Sequence, residues 1–187
     1  KTAYEIMPSL VGSEMCIRDS YYRHEEIHMS DKKLTIIASK GTLDWAYPPF
    51  ILASTAAACG YQVTMFFTFY GLQLLRKDLD LKISPLGNPG MPMPMGMNKW
   101  FPVLGTTLPG METMMTLMMK NTIKSKGVAT IQELRNLCLE AEVKMIGCQM
   151  AMDLFDMKRE DFIDDIEIGG AATWMENAGD ATVNLFI

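Results

Sequence analysis

The chain has 187 residues, with 22 acidic side chains against 17 basic ones for a formal charge of −5. That length suits one domain with a full hydrophobic core, and no long linker divides it into two. The acidic balance, without any Lys/Arg cluster, excludes the electrostatic footprint of a nucleic-acid binder.

Taken in chain order, residues 8–20 (Pro-Ser-Leu-Val-Gly-Ser-Glu-Met-Cys-Ile-Arg-Asp-Ser) have neither helical nor strand periodicity and resemble a spurious translated sequence that recurs at the ends of environmental gene predictions. Residues 1–28 are therefore read as a non-native or disordered leader, with a natural start at Met29 and a domain over 29–187. Cys16, His24 and His28 then carry no function. Leu34–Ala38 is short, β-branched and apolar on both faces, which predicts an interior strand of a parallel sheet. A turn at 39–42 leads into a helix over 43–59, disturbed early by Pro48 and Pro49 and stopped by Gly60 at C′. Ile51, Leu52, Thr55, Ala56 and Cys59 mark its apolar spacing. A second buried strand is expected over 61–69, a short helix over 71–77 and a short third strand over 81–84.

From 85 to 109 glycine, proline and methionine remove backbone donors, which predicts a long loop. A helix then follows from Pro109 to about Ser125, its apolar stripe built from Met111, Met114, Met115, Met118 and Ile123. Thr130 and Glu133 have capping-box spacing, ahead of a stripe of Ile131, Leu134, Leu137, Cys138 and Ala141. Strands are expected at 143–147, 166–168 and 182–187, with short helices at 150–155, 158–163 and 171–177. The apolar Leu-Phe-Ile ending suggests burial of the last strand against the core or a neighbouring subunit. Helices between short apolar strands predict a single α/β domain, its parallel sheet covered on both faces in a Rossmann-like three-layer arrangement.

The chemistry-bearing residues are few. The four cysteines, at 16, 59, 138 and 148, contain no C-x-x-C pair, and both histidines sit in the leader, so neither a zinc site nor a Ser-His-Asp set is expected. Reactive positions of open α/β sheets lie at the carboxyl ends of strands, where Cys148 falls, between a strand and a helix whose free amides favour an anion. The competing reading is a small buried hydrophobe. Cys59 and Cys138 lie on apolar helix stripes and are read first as core residues, with Cys138 kept as a second candidate thiol. Gln149, Gly169 and Gly170 are candidates for supporting an anion, although two glycines before a helix fall short of a phosphate-binding fingerprint. Met91, Met93, Met95 and Met97 place thioethers at alternate positions. They suit a pliable docking loop for a protein or membrane surface, and less well a Cu(I) site. The acidic residues between Asp153 and Asp165 are read as a solvated face, not a metal site. A nucleotide or flavin site at the strand ends is a weaker alternative. No apolar run approaches the ~20 residues needed to span a bilayer, and residues 1–20 do not have the order of a secretory signal. The expectation is a cytoplasmic protein without a cofactor.

Four segments carry a resemblance: 88–94 (Asn-Pro-Gly-Met-Pro-Met-Pro), 127–134 (Gly-Val-Ala-Thr-Ile-Gln-Glu-Leu), 147–153 (Gly-Cys-Gln-Met-Ala-Met-Asp) and 166–173 (Ile-Glu-Ile-Gly-Gly-Ala-Ala-Thr). Together they resemble the DsrE/DsrF-like family, in the peroxiredoxin-like branch of small sulfur-relay proteins, over about residues 30–187. The resemblance implies a parallel five-stranded sheet, a homo-oligomer, and Cys148 as carrier of a persulfide or thiosulfonate. It further implies a sulfurtransferase-like activity, with a TusA-like carrier or a rhodanese as partner. The rival is a non-enzymatic binding module that works through its methionine loop.

Overall fold

The computed structural model describes residues 32–84 and 110–187. The leader, with Cys16, His24 and His28, and the loop bearing Met91, Met93, Met95 and Met97 lie outside the described residues.

The first strand, β1 (Lys33–Ala38), buries Leu34, Ile36 and Ala38 on one face and Thr35 on the other, as an interior strand must. Helix α1 (Leu43–Ala58) follows and returns the chain to β2 (Gln62–Phe67), which pairs parallel to β1 from Lys33↔Gln62 to Ala38↔Phe67. A 3-10 turn at Phe69–Leu75 completes this part. Beyond the loop come α2 (Met111–Ser125), α3 (Ile131–Glu140) and β3 (Lys144–Cys148). Helix α4 (Gln149–Leu154), a 3-10 turn (Arg159–Asp161), β4 (Glu167–Gly169), α5 (Ala171–Gly179) and β5 (Val183–Phe186) end the chain.

The five strands lie in the order β4-β3-β2-β1-β5, and every pairing is parallel. Helices α1 and α3 share one face, where the Phe50 ring meets Phe67 at 5.9 Å and the Cys138 thiol donates to the Phe50 carbonyl. Helix α5 covers the other face, with Thr173 seated over Gly169 and Ile146. The result is the expected three-layer domain. Helix ends are closed by backbone bonds: Gly60 N–H donates to Ala57 O and Tyr61 N–H to Ala56 O after α1, and α2 and α3 repeat the pattern. The third of these has Glu142, not glycine, in the left-handed conformation (φ 57°). The Thr130/Glu133 capping box is present in both directions.

Several sequence expectations are corrected. Residues 81–84 form no strand; their backbone is held instead by side chains, Ile83 N–H donating to Thr116 Oγ1 and Ser84 N–H to Asp44 Oδ1. Helix α1 runs unbroken through Pro48 and Pro49, and its buried face follows Leu43, Ala46, Phe50 and Ala53, so Leu52 and Cys59 are exposed. Packing between the sheet and α3 selected that face, because Phe50 fills the space against Phe67. Met114 is exposed, and among the described side chains of α2 the buried one is Thr116, whose hydroxyl donates to Glu112 O and accepts from Ile83 N–H. Ala141, read as part of the α3 stripe, is the exposed residue that ends that helix. The stretch after β2 is a 3-10 turn that begins at Phe69, and Gly169 belongs to β4, leaving Gly170 alone before α5. The last strand is a sheet edge on β1, with Phe186 74 % exposed in the single chain.

Candidate functional site

Strand order decides where a site can form. After β3 the chain turns toward the α1/α3 face, since α4 packs on the 3-10 turn whose Leu72 and Leu75 lie under Gly147. After the adjacent β4 it turns to the opposite face, into α5. Neighbouring strands whose following helices leave on opposite faces leave a crevice between their carboxyl ends, the side of an open α/β sheet on which ligands bind. Cys148 ends one of these strands and is paired in register with Gly169, which ends the other.

Cys148 is a free thiol, 4 % exposed, and serves as the residue before α4 with an extended backbone (φ −73°, ψ 113°) and no side-chain capping bond. Its sulfur is therefore not used to close the helix. Gly170 holds the equivalent place before α5, again with no side-chain cap. The first amides of both helices lack intrahelical acceptors, so both edges of the crevice offer N–H groups to an anion. Gln149 follows Cys148, but its amide donates to Asp153 Oδ1 at 2.7 Å, which draws it along the outside of α4.

The two glycines differ in what surrounds them. A Cβ on Gly169 would stand 3.0 Å from Thr173 Oγ1 and 3.2 Å from Ile146 Cγ2, whereas one on Gly170 would meet nothing within 4 Å. Gly169→Ala is expected to push the first turn of α5 outward and cost about 1–2 kcal/mol. Gly170→Ala should be nearly neutral, a contrast that urea unfolding of the two variants will measure.

Cys138 is not brought to this crevice. It is fully buried on α3, on the α1 face, with Sγ 3.6 Å from the Phe50 carbonyl that accepts its proton. Strand alternation carries Cys148 to the opposite face, that of Ile146. Burial pushes the Cys138 thiol up from its ordinary 9.0 to about 12. The folded chain thus keeps a proton that the unfolded chain releases between those values, and stability falls as pH rises through that window, by about 1.4 kcal/mol per pH unit. Cys138→Ala should flatten the alkaline arm of the stability curve. In the native protein at pH 8, iodoacetamide should label Cys59 and leave Cys138 untouched, as read by peptide mass mapping.

Sequence reasoning missed two neighbours of the site. Phe69, Tyr70 and Phe155 form an aromatic cluster, with Phe155 at 6.4 Å from Phe69 and 5.5 Å from Tyr70. The signal was Gly71, directly after the aromatic run. Arg135 is buried within the α3 stripe, and its Nη1 donates to Leu74 O at 3.0 Å and Arg76 O at 2.7 Å. It has no carboxylate partner among the described residues, and burial lowers its pKa. The arginine fastens the end of the 3-10 turn to α3; a cation flanked by Leu134 and Leu137 was the available hint. Among the described residues no group of His, Cys, Asp and Glu is arranged to hold a metal ion, and no helix is long and apolar enough to cross a membrane.

Comparison with known proteins follows the same boundaries. The model of the DsrE/DsrF/DrsH-like family matches residues 30–186. The Sulfur carrier protein DsrE2 of Allochromatium vinosum is 69 % identical over 159 residues, covering 85 % of this chain and 100 % of that protein. The uncharacterized protein YrkE of Bacillus subtilis is 35 % identical over 159 residues, covering 83 % of this chain and 97 % of that one. Among solved structures, the ychN protein of E. coli aligns over 83 % of this chain and 99 % of its own at 13 % identity, with a TM-score of 0.48. With a family model that spans the whole described domain and a relative 69 % identical along its full length, the chain belongs to the DsrE/DsrF/DrsH-like family.

Proposed function

We propose that this protein is a sulfur carrier in which Cys148 holds the transferred sulfur. The observation that carries the reading is the place of Cys148: a free thiol at the carboxyl end of β3, not used to cap the helix that follows, and in register with Gly169 at the end of β4. The name of the 69 % identical relative, a sulfur carrier protein, supports the same reading.

The chemistry balances without a cofactor. The Cys148 thiolate attacks the sulfane sulfur of a donor such as thiosulfate; the new S–S bond forms as the old one breaks, and sulfite leaves with the electron pair. The product, a cysteine persulfide, is attacked at its outer sulfur by a partner thiolate, which takes that sulfur and returns Cys148 as thiolate. Amides at the crevice edge stabilise the negative sulfur in both steps. A TusA-like carrier or a rhodanese in the cytoplasm is the proposed exchange partner, and the chain acts as a homo-oligomer. Cys138, buried away from the crevice, is left out of the exchange.

The test is intact-protein mass spectrometry after incubation with thiosulfate, tetrathionate or polysulfide, followed by mapping of the modified peptide. The expected result is a dithiothreitol-reversible sulfur adduct on Cys148. A folded protein with a free Cys148 that takes no adduct from any of the three donors would sink the reading.

A further inference from the structure

We infer that the surface beside Cys148, built by α4 and the turn after β2, docks a partner protein that presents apolar side chains ringed by basic ones. This deepens the carrier reading and rests on it only for the purpose of the docking.

The surface begins two residues after the thiol, at Met150. Met150 and Leu154 are four apart on α4, so they stand together on one side of it, and they are 63 % and 61 % exposed. The next residue, Phe155, packs against Phe69 and Tyr70, and Tyr70 is itself 63 % exposed. Exposed large apolar groups placed side by side mark interaction surfaces, whereas single ones are ordinary. These side chains are also held outward by the backbone. Phe69 adopts φ 47° and Asp156 φ 52°, left-handed conformations that non-glycine residues rarely accept. The Tyr70 carbonyl is pressed so close to Gly41 that a Cβ there would come within 2.1 Å. Aromatic groups on such a fixed backbone lose little freedom on binding, as at the centres of tight interfaces.

Charge selects the occupant. Asp153, Asp156, Glu160, Asp161 and Asp165 follow along the same stretch, all exposed, and none has an ion-pair partner among the described residues. Asp164 alone is paired, with Lys77 at 3.2 Å. The nearby Arg159 guanidinium is occupied by the carbonyls of Ile163 and Asp164. Lys158 is the one exposed cation within this stretch, against six carboxylates from Asp153 to Asp165, so the edge stays acidic. An apolar centre with an acidic edge disfavours a second copy of this acidic chain and attracts a basic rim. A donor or acceptor protein of that character would bring its own thiol to the mouth of the Cys148 crevice.

The experiment uses fluorescein-labelled peptides of equal length with serine in place of the reacting cysteine, so that binding does not depend on sulfur chemistry. One has leucine and lysine flanks, the other leucine and glutamate. Anisotropy titration of the full chain at low salt should show the lysine peptide binding at least about tenfold more tightly. Met150→Ser with Leu154→Ser should weaken it about tenfold, and Glu160→Lys with Asp165→Lys should erase the preference. All four positions are exposed or on a solvated edge, and circular dichroism will show that each variant is folded. Equal affinity for the two peptides, or none for either, overturns the proposal. So does sedimentation showing that Met150→Ser with Leu154→Ser dissolves a homo-oligomer, since the patch would then belong to a second copy. Lysine-peptide binding without any sulfur adduct on Cys148 would overturn the carrier reading and leave the docking surface standing. Adduct formation without peptide discrimination would do the reverse.

Discussion

Cys148→Ser is expected to abolish sulfur loading while leaving the domain folded. A hydroxyl is nearly the size of a thiol, but Cys148 is buried with the core at the end of β3, so placing a hydroxyl there costs about 1–3 kcal/mol, less than the stability of an ordinary domain. A serine oxygen at neutral pH is neither ionised nor able to form the S–S bond that the transfer requires. The check has two parts: loss of the dithiothreitol-reversible adduct on intact mass, and a cooperative urea transition, at a midpoint below that of the parent protein, which shows that the variant is folded. Loading retained on Cys59 or Cys138 would reassign the carrier. Loss of loading together with loss of fold would leave Cys148 a core residue only, the reading that the small-hydrophobe character of buried cysteines allows.

The second large effect is expected at Gly71, which has no role in the chemistry. A Cβ there would lie 2.1 Å from the Ala38 carbonyl oxygen and 2.7 Å from its carbon, at the carboxyl end of β1. Those atoms are backbone of an interior strand and cannot swing aside as a flexible side chain would. The Gly71 amide also donates to Ser39 O at 3.1 Å and Thr68 O at 3.0 Å, so moving the turn breaks both bonds. Gly71→Ala should therefore cost more than about 3 kcal/mol, in the range where a single substitution unfolds a marginal domain. Thermal and urea denaturation will measure it. If the variant survives with reduced stability, Phe69 and Tyr70 must have shifted, and lysine-peptide binding should fall while sulfur loading to small donors persists. That split would separate the docking surface from the thiol.

How much of this was legible in the sequence follows from which interactions are local. Strands such as 34–38, the stop at Gly60 and the Thr130/Glu133 capping box depend on side chains within a few residues of one another, and each appears where it was read. Helix faces were read less well. The period of α1 and α2 was right, yet the buried sides turned out to be those of Phe50 and Thr116, because the partner layer chooses among faces that are all apolar. In a chain this rich in methionine and alanine, the pattern by itself carries little directional information. The expected strand at 81–84 failed for the same reason: its acceptors came from side chains of Thr116 and Asp44, distant in sequence.

The site divides along the same line. Strand, thiol and helix are consecutive in the chain, so the residues alone put Cys148 between a strand and a helix, and they put Gly169 and Gly170 at the next such junction. That these two junctions are neighbours comes from the assembled sheet, in which β3 pairs with β4 while the helices that follow leave on opposite faces. The tertiary structure alone also separated Cys138 from Cys148, ten residues apart in the chain, by placing them on opposite sides of the sheet. Local propensity sets which residues can form an element. The order of strands and the face each side chain takes are set by non-local packing, whose energy exists only once the whole sheet has assembled.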